Sequence, residues 1–118
     1  MSVNFFNELQ NIHVTAWNEK EEAKRIDLLK KIYADDVKMY DKGFILHSLN
    51  DVSDFIGKLH SEDPVFNFAA AKPIDPLQNG ARFYGQIQTS QGMLNSMDFF
   101  LIENEKVKHL YAFMEPAS

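Results

Sequence analysis

The chain contains no cysteine. That excludes a disulfide framework, a thiolate nucleophile and a cysteine-ligated metal. Arginine is nearly as scarce, with Arg25 and Arg82 alone, and the net charge is −5. A nucleic-acid footprint needs clustered Lys and Arg, and so does a basic patch for anionic lipid, so neither partner is expected. Long apolar runs are missing too. The run at 99–102 is strand-sized, far short of the ~20 residues that span a bilayer. The N-terminal Met1-Ser2-Val3-Asn4-Phe5-Phe6 has no basic region ahead of an apolar stretch, so no secretory leader is expected and a reducing, cytoplasmic location follows. Phosphate-cradling glycine motifs and the G-x-S-x-G nucleophile elbow are absent. The four histidines, His13, His47, His60 and His109, show no HxH or HExxH spacing, so no metal site and no cofactor are expected.

What is present is a chain of 118 residues with ten phenylalanines, four tyrosines and one tryptophan. That length suits one domain, 1–118, with room for a sheet, a few helices and one small-molecule pocket. Phe5, Phe6, Leu9, Ile12, His13, Ala16 and Trp17 share one face at 3.6-residue spacing, and Asn4 is placed to cap that helix. The polar Asn18-Glu19-Lys20-Glu21 turns into a second helix expected to bury Ala23, Ile26, Leu29, Ile32 and Tyr33. From Ala34 the period falls to 2, with Val37, Met39 and Asp41 on one strand face. Asp41-Lys42-Gly43 reads as a turn. Ser48-Leu49-Asn50-Asp51 resembles a capping box ahead of a third helix striped by Val52, Phe55, Ile56 and Leu59. Beyond Asp63-Pro64 the pattern is strand-like: 65–72, 81–89, 93–103 and 107–115, separated by short turns that imply antiparallel hairpins. Helices first and a meander afterwards define an α+β layout, a curved sheet with helices on one face.

Acid–base chemistry by carboxylates and histidine is what this composition leaves. Asp98 lies mid-strand on a face with Leu94, Ser96, Phe100 and Ile102. Turned inward, it needs hydrogen bonds or a proton, because an unpaired buried carboxylate is costly. It then reads as an acid or base in a pocket; turned outward, it reads as an edge-strand residue or a partner for Arg82. Asp41 reads either as a base at a cavity mouth or as a turn aspartate binding backbone N–H groups. His13 sits centrally on the first apolar stripe, as a proton donor and acceptor or as a buried histidine satisfied by backbone. His60, near a helix C-terminus, is explained by the helix dipole. The phenylalanines either fill the inside of the curved sheet or line a cavity there.

The order of Trp17-Asn18-Glu19, Ile32-Tyr33-Ala34-Asp35-Asp36-Val37, Asp41, Val52-Ser53-Asp54-Phe55-Ile56, Met97-Asp98-Phe99-Phe100 and 106–113 resembles the nuclear-transport-factor-2-like superfamily. Within it, the likeness is to the bacterial SnoaL-like branch, akin to polyketide cyclases and ketosteroid isomerase. The resemblance implies a cone-shaped fold, in which a strongly curved mixed β-sheet holds three helices from the N-terminal half on its concave face and encloses an apolar pocket. It further implies a homodimer through the outer sheet face and a small apolar organic ligand. By the same likeness, Asp41 occupies the position of the isomerase base, Asp98 that of the protonated acid at the oxyanion, and His13 that of the oxyanion tyrosine. Trp17, Phe55, Leu110 and Met114 are then expected in the pocket wall. Two functions stay open. One is an isomerase, cyclase or dehydratase acting on a small apolar carbonyl or epoxide. The other is a non-catalytic ligand-binding or dimerisation module with the same fold.

Overall fold

A computed structural model describes residues 3–117. Met1, Ser2 and Ser118, the ends of the expected domain, lie outside the described residues. The element order is α1 (Val3–Asn18), α2 (Glu22–Ile32), β1 (Tyr33–Tyr40), β2 (Ile45–Leu46), α3 (Leu49–Glu62), β3 (Asn67–Ala70), β4 (Asp75–Leu77), β5 (Gly80–Thr89), β6 (Gly92–Glu103) and β7 (Lys106–Pro116). The helix expected to be capped by Asn4 already begins at Val3, so Asn4 lies inside its first turn. Ser48 caps α3 as read, its Oγ accepting from the Asp51 N–H, while the Asp51 carboxylate reaches back one residue further than a capping box requires, to the His47 N–H. Leu29 and Ile32 of α2 are buried as expected, Ile26 is half-buried, Ala23 is exposed, and Arg25 joins the buried face unexpectedly.

Arg25 is a charged side chain in the interior that forms no ion pair with a carboxylate among the described residues. Its guanidinium donates to Ser53 Oγ and to the carbonyls of Glu19 and Lys20, which holds the α1–α2 turn against α3. Gly57 makes this possible. A Cβ there would stand 2.9 Å from the Arg25 Nη2.

The strands form one mixed sheet in the order β2-β1-β7-β6-β5-β3, with β4 also on the free edge of β5. Among the described residues the strand pairs are antiparallel except β1 with β7. The sheet is curved and not closed. The register shifts between Tyr33 and Lys38 in β1–β7, and by one residue of β7 between Leu101 and Ile102 in β6–β7, where the extra residue is a bulge of the kind that bends a strand. Three helices over such a sheet make the α+β cone expected from the sequence.

Period-2 alternation sorts the inner from the outer side chains. Ala81, Phe83, Gly85 and Ile87 of β5 point inward, as do Leu94, Ser96, Asp98, Phe100 and Ile102 of β6 and Leu110, Ala112 and Met114 of β7. Across the middle of the sheet this inner row is small: Gly85 faces Ser96, and Ala112 faces Asp98. The helices cannot close over that dip, so a hollow remains.

Candidate functional site

The hollow is a partly enclosed cavity of about 180 Å³ between α1, α3 and the inner sheet face. Its wall is almost wholly apolar, with Trp17, Phe55, Phe66 and Phe68 supplying aromatic surface. Asp98 and Ser96 place polar groups on its sheet side. The phenylalanines therefore divide. Phe6, Phe83 and Phe100 fill the core, Phe55, Phe66 and Phe68 line the cavity, and Phe44 and Phe113 are exposed.

Asp98 is 6% exposed, with Oδ2 at 3.3 Å from the Nε2 of a fully buried His13. The Nδ1 of His13 lies 2.8 Å from the Tyr33 hydroxyl, and the Trp17 indole N–H donates to that hydroxyl at 3.0 Å. An indole N–H can only donate, so the Tyr33 oxygen accepts from Trp17. The Tyr33 proton then goes to its remaining neighbour, His13 Nδ1. The reverse assignment would leave a buried O–H without an acceptor, which is costly. The imidazole is therefore neutral, carries its proton on Nε2 and donates it to Asp98 as carboxylate. Burial pushes the Tyr33 phenol well above its ordinary value of 10.0, which keeps it a donor.

The order Trp17→Tyr33→His13→Asp98 is thus one-directional. Rings hold it in place: Phe100, Phe68 and Phe83 meet His13 edge-on, at centroid distances of 5.0, 5.4 and 5.9 Å. His60, in the last turn of α3, is buried. It donates from Nε2 to the Trp17 carbonyl at 2.8 Å, tying α3 to the last turn of α1. Asn18 completes the anchorage, since its side-chain amide both donates to the Phe68 carbonyl and accepts from the Phe68 N–H, each at 2.8 Å.

The remaining expected site residues separate clearly. Trp17, Phe55 and Met114 line the cavity, as expected for its wall. Leu110 does not: it is fully buried, packed between its strand neighbours Met39 and Phe100. Asp41 borders the mouth, yet its Oδ1 accepts the Lys42 N–H at 2.7 Å, the behaviour of a turn aspartate. His13 has no surface toward the cavity and stands behind Asp98. As placed, it presents no surface to a ligand in the cavity, where the isomerase likeness would have an oxyanion donor. Arg82 pairs with Asp75 at 2.8 Å and leaves Asp98 to His13. Tyr33 and Ser96 join the site without a motif in the sequence to mark them. The inward alternation shared by Ser96 and Asp98 was the one available signal for Ser96. Among the described residues no group of three His, Asp or Glu side chains could hold a metal ion.

No protein-family model and no curated protein matches the chain in sequence. Solved structures do match it in fold. A candidate isomerase of the SnoaL-like family from Agrobacterium tumefaciens aligns with a TM-score of 0.84 at 17% identity, over 96% of this chain and 99% of the other. A protein of ketosteroid isomerase-like fold from Catenulispora acidiphila, in complex with trimethylamine, aligns at 0.75 and 8% identity, over 89% and 83%. A de novo designed protein with a curved β-sheet aligns at 0.77 and 15% identity, over 98% and 89%. At these identities the likeness shows the fold, SnoaL-like and nuclear-transport-factor-2-like, and leaves the chemistry to the site itself.

Proposed function

We propose that the chain binds a small apolar organic molecule in the cavity and moves a proton on it with Asp98, in an isomerase-, cyclase- or dehydratase-type reaction on a carbonyl or epoxide. One observation carries this reading. A carboxylate sits against an apolar cavity with one oxygen held by the buried His13–Tyr33–Trp17 chain. A base works best when its orientation is fixed and its surroundings are dry. His13 positions Asp98 and does not touch the ligand. Asp41 stands at the mouth, where it would meet the outer end of a ligand.

The same reading takes the protein to be cytoplasmic, cofactor-free and a homodimer through the outer sheet face. That face carries Tyr40 stacked on Tyr111 at 4.5 Å, with Met97 and Phe113 in the adjacent positions.

The test is hydrogen–deuterium exchange at the α-carbons of 2-indanone in D2O, followed by proton NMR. Protein should speed exchange over buffer, and Asp98→Asn should remove at least 100-fold of that gain, the order expected for loss of a positioned base. An Asp98→Asn protein that exchanges as fast as wild type would sink the reading. The alternative, a ligand-binding or dimerisation module without chemistry, draws on Asp41 being turned into its own loop. The trimethylamine complex of the Catenulispora protein shows binding in this fold. Under that alternative 2-indanone binds, and exchange stays at the buffer rate.

A further inference from the structure

We propose that the cavity binds protonated organic amines, small ammonium ions with an apolar body, and that Asp98 is their buried counter-ion. This ligand class goes beyond the proton transfer proposed above and does not depend on it.

The Asp98 carboxylate is an anion in the interior, and the groups that hold it are uncharged. Oδ2 faces the neutral His13, with Tyr33 and Trp17 behind it. The other oxygen, Oδ1, makes no hydrogen bond among the described residues, and it is not sealed off. The side chain keeps 9% of its surface, on the cavity side. No neighbouring donor fills that place. Ser96 Oγ has no partner, Thr89 Oγ1 donates to the Gly92 carbonyl, and the Trp17 N–H is spent on Tyr33. A counter-charge is missing as well. Among the described residues no Lys, Arg or His borders the cavity. Arg82 is held by Asp75, and Arg25 by Ser53 and two carbonyls of the α1–α2 turn. A buried carboxylate with one open oxygen and no cation beside it calls for a donor that brings positive charge.

The surroundings favour a cation over a neutral donor. The aromatic wall of Trp17, Phe55, Phe66 and Phe68 suits one, because the π-faces of rings attract cations. Asp41 and Asp63, both half-buried, border the same cavity and add negative potential. Asp63 keeps its charge, since the Ser90 N–H and hydroxyl and the Val65 N–H hold its carboxyl below the ordinary value. An anionic ligand would meet three carboxylates. The ammonium N–H donates to Asp98 Oδ1, and the apolar body lies against the rings. Such an amine occupies the free oxygen of Asp98, so it is a ligand of the cavity and not a substrate for proton transfer.

Trp17 is the sole tryptophan of the chain and lines the cavity, so its fluorescence reports occupancy. Cyclohexylamine, protonated at neutral pH, and cyclohexanol share one body and differ in charge. Wild type should bind the ammonium at least about tenfold more tightly, the scale of one hydrogen bond to a charged group. The preference should persist in about 1 M sodium chloride, where the Debye length is about 3 Å, because a buried pair is screened little. Asp98→Asn should abolish it and keep the affinity for cyclohexanol, and Asp41→Asn should cost less. Should Asp98→Asn fail to fold, the carboxyl carbon-13 signal of Asp98 in wild type decides, moving further with cyclohexylamine than with cyclohexanol. Overturning results are no preference in wild type, a preference lost in salt, a greater dependence on Asp41 than on Asp98, a carboxyl signal that responds equally to both probes, or failure to bind either. Exchange on 2-indanone is read separately. If it stays at the buffer rate while the ammonium preference depends on Asp98, proton transfer fails and the amine site stands; the converse sinks the amine site alone.

Discussion

Tyr33 joins the fold to the site. Its hydroxyl is the hydrogen-bonded link between the indole of Trp17 and the imidazole of His13, and it decides which ring nitrogen carries the proton. Tyr33→Phe keeps the ring and removes the oxygen. It leaves the Trp17 N–H and His13 Nδ1 buried without partners, so stability should fall by about 2–3 kcal/mol in chemical denaturation. Nitrogen-15 NMR should show His13 protonated on Nε2 in wild type and as a mixture of tautomers in the variant. Retention of the single Nε2–H form would show that Tyr33 does not direct the proton. The pH dependence has a definite sign. The folded protein holds the phenol proton more tightly than the unfolded chain, whose value is near 10.0. The Tyr33 contribution is thus complete below that pH and is lost as pH rises above it. The stability gap between wild type and Tyr33→Phe should narrow in that alkaline range.

At the level of elements, the site depends on how the last turn of α1 is fixed. That turn carries Trp17, and both His60 from α3 and the Asn18 clamp on Phe68 bear on it. Asn18→Ala would leave the Phe68 N–H and carbonyl unpaired at the edge strand β3. The expected cost is about 1–3 kcal/mol, with raised amide exchange at Phe68 as the local readout. Unchanged protection at Phe68 would mean β3 is held by β5 alone. These particulars also show what the sequence could disclose. Alternation along β6 put Asp98 on one face with Leu94, Ser96, Phe100 and Ile102, but left open whether that face turned inward or outward. Helix periodicity put His13 and Trp17 on one stripe. Pattern could not pair His13 with Asp98, which lie 85 residues apart. It could not foresee Arg25 inside, since the burial is tolerated only through Ser53, two carbonyls and the gap at Gly57. Leu110 lay on the correct inner face, but facing inward does not separate core from cavity. That separation depends on where Gly85 and Ala112 leave the sheet unfilled.

At the scale of the whole molecule, the two sheet faces have opposite fates. Helices cover the concave face except at the cavity, and no described element covers the convex one. On that face Tyr40 and Tyr111 stack, His109 joins them through a 3.0 Å hydrogen bond to Tyr40, and Phe113 is 57% exposed. A groove there, bordered by Tyr40, Tyr84, Met97, Tyr111 and Phe113, measures about 860 Å³. Aromatic and methionine side chains are enriched in protein interfaces, and a stable one hides about 800 Å² per partner. A second copy meeting this face would bury the stacked tyrosines, leaving both cavities open on the opposite sides. Light scattering should then give twice the 13.6 kDa chain mass, and Phe113→Asp should halve it. The charge would be set into an apolar contact while the inner core, on the other side of β7, stays untouched. The variant should therefore keep its circular dichroism and its binding of 2-indanone. A wild type that scatters as a monomer at micromolar concentration would refute the dimer. It would leave the cavity chemistry as it stands, because all the residues assigned to it come from one chain.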